Sequence, residues 1–137
     1  MRAAQRCKAF AAIAVGFVVL LAGAGCRKKS AEESAADERR AEAERRAERI
    51  WRERCVACHG ERGTGDGKLA ATLRKRPRDF TDPKWQSEEF DDELEAVIIV
   101  GGAALGHSAE MPPNVDLGND PDAVAALVRK IRSLGRR

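Results

Sequence analysis

The chain predicts an all-α fold, on three observations. Apolar residues recur at helical spacing in three separate segments, Ala43 to Trp51, Phe90 to Ile98 and Val124 to Leu134. Glycines follow two of them, Gly101-Gly102 and Gly135, where helices commonly stop. No β-rich run precedes Cys55, and the residues before it are mostly Ala, Glu and Arg, all tolerated or favoured in helices.

Residues 1–25 read as a signal peptide or signal anchor. Arg2, Arg6 and Lys8 make a basic start, and Ala9 to Gly25 is uncharged and mostly apolar. That run has 17 residues, at the lower end of the roughly 17–25 needed to span a bilayer. Ala22-Gly23-Ala24 suits ordinary signal peptidase. Leu21-Ala22-Gly23-Ala24-Gly25-Cys26 instead resembles a bacterial lipobox, in which Cys26 is lipidated and becomes the mature N-terminus; the usual leucine three residues before the cysteine is Gly23 here. Every variant of this reading places the mature protein in the periplasm: ordinary cleavage would release it, whereas lipidation at Cys26, which the reading favours, or an uncleaved signal anchor would hold it to the membrane.

Residues 26–45 form a charged Ala/Glu/Arg-rich tether. No large apolar residue occurs between Arg27 and Arg49, so the segment cannot build a core, though its helical propensity is strong. A solvated helix merging into the first domain helix and a disordered charged linker both fit the composition. Residues 46–137 make the folded domain, with Ala43, Ala47, Ile50 and Trp51 lining one face of a helix that leads into Cys55.

Glycines 60, 63, 65 and 67 predict a loop, a short helical piece follows around Lys68 to Leu73, and Pro77 and Pro83 bracket an extended segment. Ser87 is the expected cap of a helix with Glu88, Glu89, Asp91 and Asp92 in its first turns and Phe90, Leu94, Val97 and Ile98 on its apolar face. After a Gly- and Pro-rich loop, Asp120-Pro121 opens the last helix, whose stripe is Val124, Leu127, Val128, Ile131 and Leu134.

The leader's three basic residues account for the net charge of +3, so nothing predicts nucleic-acid binding. The distribution is uneven. No Lys or Arg lies between Gln86 and Val128, where ten acidic residues fall, which predicts a sizeable dipole in the folded domain.

The chemistry concentrates in Cys55-Val56-Ala57-Cys58-His59. C-x-x-C-H is the attachment sequence of c-type haem: two thiols add to the vinyl groups and the histidine binds iron. On a helix, positions i, i+3 and i+4 share a face, so both sulfurs and the imidazole can meet one flat macrocycle. A structural zinc site would need a second pair of ligands, whereas the remaining cysteines, Cys7 and Cys26, lie in or beside the leader. A thioredoxin-like pair would want a preceding strand. From Arg46 onward the chain is only about 90 residues, a size at which a core is marginal unless a cofactor staples it. Met111, the only methionine besides the initiator, sits before Pro112-Pro113 in a loop and is the expected second axial ligand; His107 is the competitor and would give a bis-His haem.

These residues resemble the monohaem class I cytochromes c over about residues 46 to 135. The resemblance rests on Trp51 four residues before the first cysteine, CVACHG, the GTGDG loop, Pro77-Arg-Asp-Phe-Thr-Asp-Pro-Lys-Trp85 and the late Met111-Pro-Pro. It implies a small class I fold of about four to five helices around one covalent iron-containing haem c, with the first and last helices crossing beside it. It further implies that the Pro77 carbonyl holds the His59 ring. For Trp85, an indole N–H given to a haem propionate and ordinary core packing both remain open.

No acid–base pair or nucleophile accompanies the haem motif, so the expectation is an electron carrier and not an enzyme, exchanging single electrons with redox proteins such as membrane respiratory complexes. A fixed haem subunit of a respiratory or periplasmic oxidoreductase, and a haem-based ligand sensor, are the alternatives.

Overall fold

A computed structural model describes residues 30–136. The leader, Cys26 and the start of the tether lie outside the described residues. No described helix is long and apolar enough to cross a membrane.

The described residues are helical, with no strand among them. Helix α1 (Ala31–Ile50) starts at a capping box. The Ser30 hydroxyl accepts the Glu33 N–H at 3.1 Å, and the Glu33 carboxylate accepts the Ser30 N–H at 2.8 Å. The described part of the tether and the first domain helix are thus one continuous rod through Ile50. Its first half is exposed, and packing begins at Ala43 and Ala47, which are buried. Trp51–Cys55 continue the rod as a π-helical turn, and α2 (Val56–His59) ends it at Gly60. Such a turn carries one residue more than an α-turn, which re-aims the residues after it, and π-turns gather at functional sites.

After α2 the chain runs through the glycine loop, a single 3₁₀ turn at Ala70–Thr72, and an extended stretch to Asp82. Helix α3 (Pro83–Glu88) is opened by Asp82, whose carboxylate accepts the Lys84 N–H at 2.9 Å, with Pro83 in the first turn. This displaces the expected cap: Ser87 lies inside α3 and donates to the Lys84 carbonyl at 2.7 Å. Helix α4 (Asp91–Val100) starts after Phe90 with no side-chain cap. Phe90 therefore falls off the apolar face and is 67% exposed. The reason was present in the sequence, since Asp82-Pro83 is the same start signal as Asp120-Pro121.

Two 3₁₀ segments, Ala103–Leu105 and Val115–Asn119, punctuate the long loop before α5 (Pro121–Leu134). Asp120 caps α5 through the Ala123 N–H at 3.1 Å. The whole predicted stripe of α5 is buried, together with Ala123 and Ala126. Alanines on both α1 and α5 are buried where these helices pack, so their backbones can approach closely. Ion pairs flank that seam: Arg46–Asp120 at 2.8 Å, Arg129–Glu44 at 2.7 Å and Lys130–Glu48 at 2.6 Å.

The uneven charge along the chain is partly compensated in space. Asp91 receives Arg132 at 2.7 Å, Asp116 receives Arg54 at 2.9 Å and Asp120 receives Arg46. Basic residues from outside the acidic stretch fold back onto these three carboxylates.

Candidate functional site

The end of the α1–α2 rod meets the long loop and α4 around a cavity of about 610 Å³, within the size range of small-molecule and cofactor sites. Cys55, Cys58 and His59 line it from the rod, and His107 and Met111 from the loop after α4. Leu94, Val97, Ile98, Ile131, Phe80 and Trp85 supply apolar wall. Arg54, Lys75, Arg76 and Arg78 add positive charge to the lining, and Asp79, Glu89, Glu93 and Glu110 add negative charge. Residues distant in sequence are thus brought to one hollow. Of the site residues expected from the sequence, Cys55, Cys58, His59, Pro77, Trp85, His107 and Met111 line it, and Cys26 is outside the described residues.

Each side of the hollow is fixed by identifiable contacts. The His59 ring stacks on Phe80, centroids 4.6 Å apart and planes 15° from parallel. Its Nδ1 is 3.4 Å from the carbonyl oxygen of Arg78, an orientation that makes Nε2 the nitrogen available to a metal. Burial pushes the His59 pKa down, against the Arg78 carbonyl, which raises it. The neutral imidazole that results is the form that binds metals. Cys55 and Cys58 are free thiols. Burial pushes the Cys55 thiol up to about 11, so before attachment it is protonated at neutral pH.

The carbonyl beside His59 is one residue later than expected. Pro77 lines the cavity, but its carbonyl oxygen is pressed against Gly65, where a Cβ would leave no room for it. The Arg76 guanidinium holds the same two segments together through the Gly65 and Thr64 carbonyls, both at 3.3 Å. With Pro77 turned toward the glycine loop, the Arg78 carbonyl is left facing the imidazole. Trp85 packs on Phe80, ring centroids 5.3 Å apart, with the Arg78 guanidinium 5.6 Å from its ring.

The loop carrying Met111 folds back on the end of α4. The Gly102 N–H donates to the Met111 carbonyl at 3.0 Å, and the Asn114 side chain donates to the Ile98 carbonyl at 2.8 Å. Glu110 reaches across to the stretch before Pro77, where the Arg74 N–H meets both carboxylate oxygens at 3.1 Å. That hydrogen bond, more than any other contact, holds the Glu110 carboxyl below the usual carboxylate range.

Sequence reasoning missed three supports. Phe80 reads as an ordinary apolar residue, and only its place in the Asp79-Phe80-Thr81-Asp82 stretch of the resemblance marked it. Arg132 sits among the buried positions of α5, yet it donates to the Gln86 and Glu89 carbonyls at 2.8 and 2.7 Å and to the Asp91 carboxylate at 2.7 Å, tying the end of α3 and the start of α4 to α5. Glu110 carried no signal beyond adjacency to Met111.

Two free thiols and a neutral imidazole at helical spacing, in a cavity of cofactor size with one methionine on a second element, fit a covalently attached haem. Fold and site together define a small all-helical haem-attachment domain. A family model for Cytochrome c matches residues 44–135, and the chain belongs to that family, as a class I monohaem cytochrome c. It accordingly carries a covalent, iron-containing haem c and serves as a haem-based electron carrier. No curated protein is significantly similar to the chain.

Proposed function

We propose that the protein is a membrane-tethered periplasmic electron carrier whose iron is held by His59 and Met111. The observation that carries the ligand set is the convergence of Cys55, Cys58, His59 and Met111 on one cavity; His107 lines it too but is exposed, whereas Met111 is half-buried. In this reading the Cys55 and Cys58 sulfurs hold the cofactor through thioether bonds. His59 Nε2 would supply one donor to the iron, its ring steadied by Phe80 and by the Arg78 carbonyl. Met111 supplies the other, and the apolar residues of α4 and α5 keep water from the ligands. Arg54, Lys75, Arg76 and Arg78 offer positive charge to the cofactor's carboxylates, and Trp85 shares that wall. The bound iron supplies a one-electron Fe(II)/Fe(III) couple.

The basic, then apolar, leader supports export, and Cys26 supports a lipid anchor, because Cys55 and Cys58 are committed and Cys7 falls within the leader. The exposed half of α1 supports a spacer between membrane and domain. Anchoring would raise the carrier's effective concentration at redox partners, membrane respiratory complexes among them.

Purified protein tests the reading. The denatured, pyridine-treated protein should give a haem c spectrum, and the oxidised protein should show the long-wavelength sulfur-to-iron band. Absence of covalent haem overturns the whole proposal, and absence of the band overturns the Met111 assignment.

A further inference from the structure

Glu110 precedes Met111, yet its carboxylate does not sit free in solvent: the side chain is 22% exposed, against 86% for Arg74 beside it. Both oxygens accept the Arg74 N–H, and Oε2 also accepts the Ser108 hydroxyl at 3.3 Å. The Ser108 hydroxyl in turn accepts the Glu110 N–H at 3.2 Å, fixing the rotamer from within the loop.

The two segments joined this way form two banks of one cavity. Ser108, Glu110, Met111 and Pro112 line it from the loop after α4; Leu73, Lys75, Arg76 and Pro77 line it from the other segment. Among the described residues, the hydrogen bonds joining the two segments all end on the Glu110 carboxylate. The loop is otherwise held to α4, through the Gly102 N–H on the Met111 carbonyl and Asn114 on the Ile98 and Ile99 carbonyls, and beyond Met111 to the rod, through Arg54 on Asp116. The far segment is held to the attachment side, through Arg76 on the glycine loop and the Arg78 carbonyl near His59. A charged acceptor bound to backbone N–H groups makes a stronger hydrogen bond than a neutral one.

We infer that Glu110 is a positioning residue, a latch that ties the Met111 loop to the Leu73–Arg78 segment and so keeps the methionine sulfur at the iron and external ligands out. The inference rests on Met111 being the axial ligand. Without the latch the loop loses its hydrogen bonds to the Leu73–Arg78 segment, and the sulfur gives way more readily to a competing donor.

The test uses the haem-loaded full chain, with imidazole as the competing donor to the oxidised protein. Glu110→Ala should raise the apparent imidazole affinity at least about tenfold, the factor that about 1.4 kcal/mol represents, with a weakened sulfur-to-iron band and an unchanged haem c content. Glu110→Gln, which keeps an acceptor oxygen but loses the charge, should fall between Glu110→Ala and the parent. Met111→Ala is the reference for an open site. If Met111→Ala binds imidazole freely while both Glu110 variants stay within about twofold of the parent, the latch is refuted and the ligand assignment stands. If Met111→Ala binds imidazole no better than the parent, the ligand assignment fails and the latch falls with it. Should Glu110→Ala fail to accumulate with haem, Glu110→Gln alone decides by the same criterion.

Discussion

Gly63 and Leu134 offer a direct test of how the glycine loop is locked to the last helix. Gly63 has φ +72°, and a Cβ placed there would lie 2.5 Å from Leu134 Cδ1 and 3.3 Å from Phe80 Cδ2. Leu134 is only 1% exposed, so its methyl cannot swing into solvent. Gly63→Ala therefore carries two costs. Left-handed backbone costs a non-glycine residue about 1–2 kcal/mol, and overpacking a closed core adds about 1–3 kcal/mol. Leu134→Ala alone should cost about 2–5 kcal/mol through the cavity it leaves. In that background the new methyl at residue 63 enters vacated space, so Gly63→Ala should then cost only the backbone part. The cycle should be less than additive by about 1–3 kcal/mol. Urea unfolding of the haem-loaded proteins, followed by far-UV circular dichroism, measures each corner. The Gly63→Ala transition should also fall by at least about 8 °C in a domain of this size. An additive cycle, or a Gly63→Ala cost below about 1 kcal/mol, would refute the packing argument. The consequence reaches the site, because the Gly63 carbonyl accepts the Phe80 N–H at 2.8 Å and Phe80 stacks on His59.

Met111→Ala should lower the reduction potential and expose the reduced iron to carbon monoxide, because a thioether favours Fe(II) over harder donors; His107→Ala should leave the oxidised spectrum unchanged, and the opposite pattern would reassign the ligand. Asp120→Asn keeps the helix cap but removes the charge that Arg46 holds. The Arg46 hydrogen bond depresses the Asp120 pKa in the folded state, so the parent's advantage over Asp120→Asn should be full above the ordinary aspartate value and vanish as the pH falls through the depressed one; an advantage that persists in strong acid counts against the pair. Cys26→Ser should leave haem attachment intact and remove acyl mass from the membrane fraction; a wild-type mature chain without acyl mass would refute lipidation.

The legible parts of this chain were those governed by short-range rules. Asp120-Pro121, the α5 stripe and the Gly101 stop each state their own structure, because caps, periodicity and glycine conformations act within a few residues. C-x-x-C-H likewise holds its geometry in its spacing, and the helix runs to His59 as expected, though through a π-turn that no residue in Trp51–Cys55 announces. Ser87 misled because two start signals compete there, and Asp82 with Pro83 acts first. The carbonyl beside His59 depended on which way a peptide plane faces, which Gly65 decides from twelve residues before Pro77. Glu110 and Arg132 work across the fold, onto backbone groups that any residue would supply. Such contacts leave no pattern in a single sequence.

The unbroken α1 has a consequence beyond reach. A floppy leash sets only a radius, whereas a helix sets a bearing. From Ser30 to the first buried turn at Ala43 the backbone is one rod, and every residue added or removed there turns Ser30 by about 100° around the axis while moving it only about 1.5 Å. A deletion of one residue in this stretch would therefore swing the entry point to another quadrant of the domain, and a deletion of seven, close to two full turns, would nearly restore it. Ser30, where the described rod begins, thus has an azimuth around the haem domain as well as a distance from it.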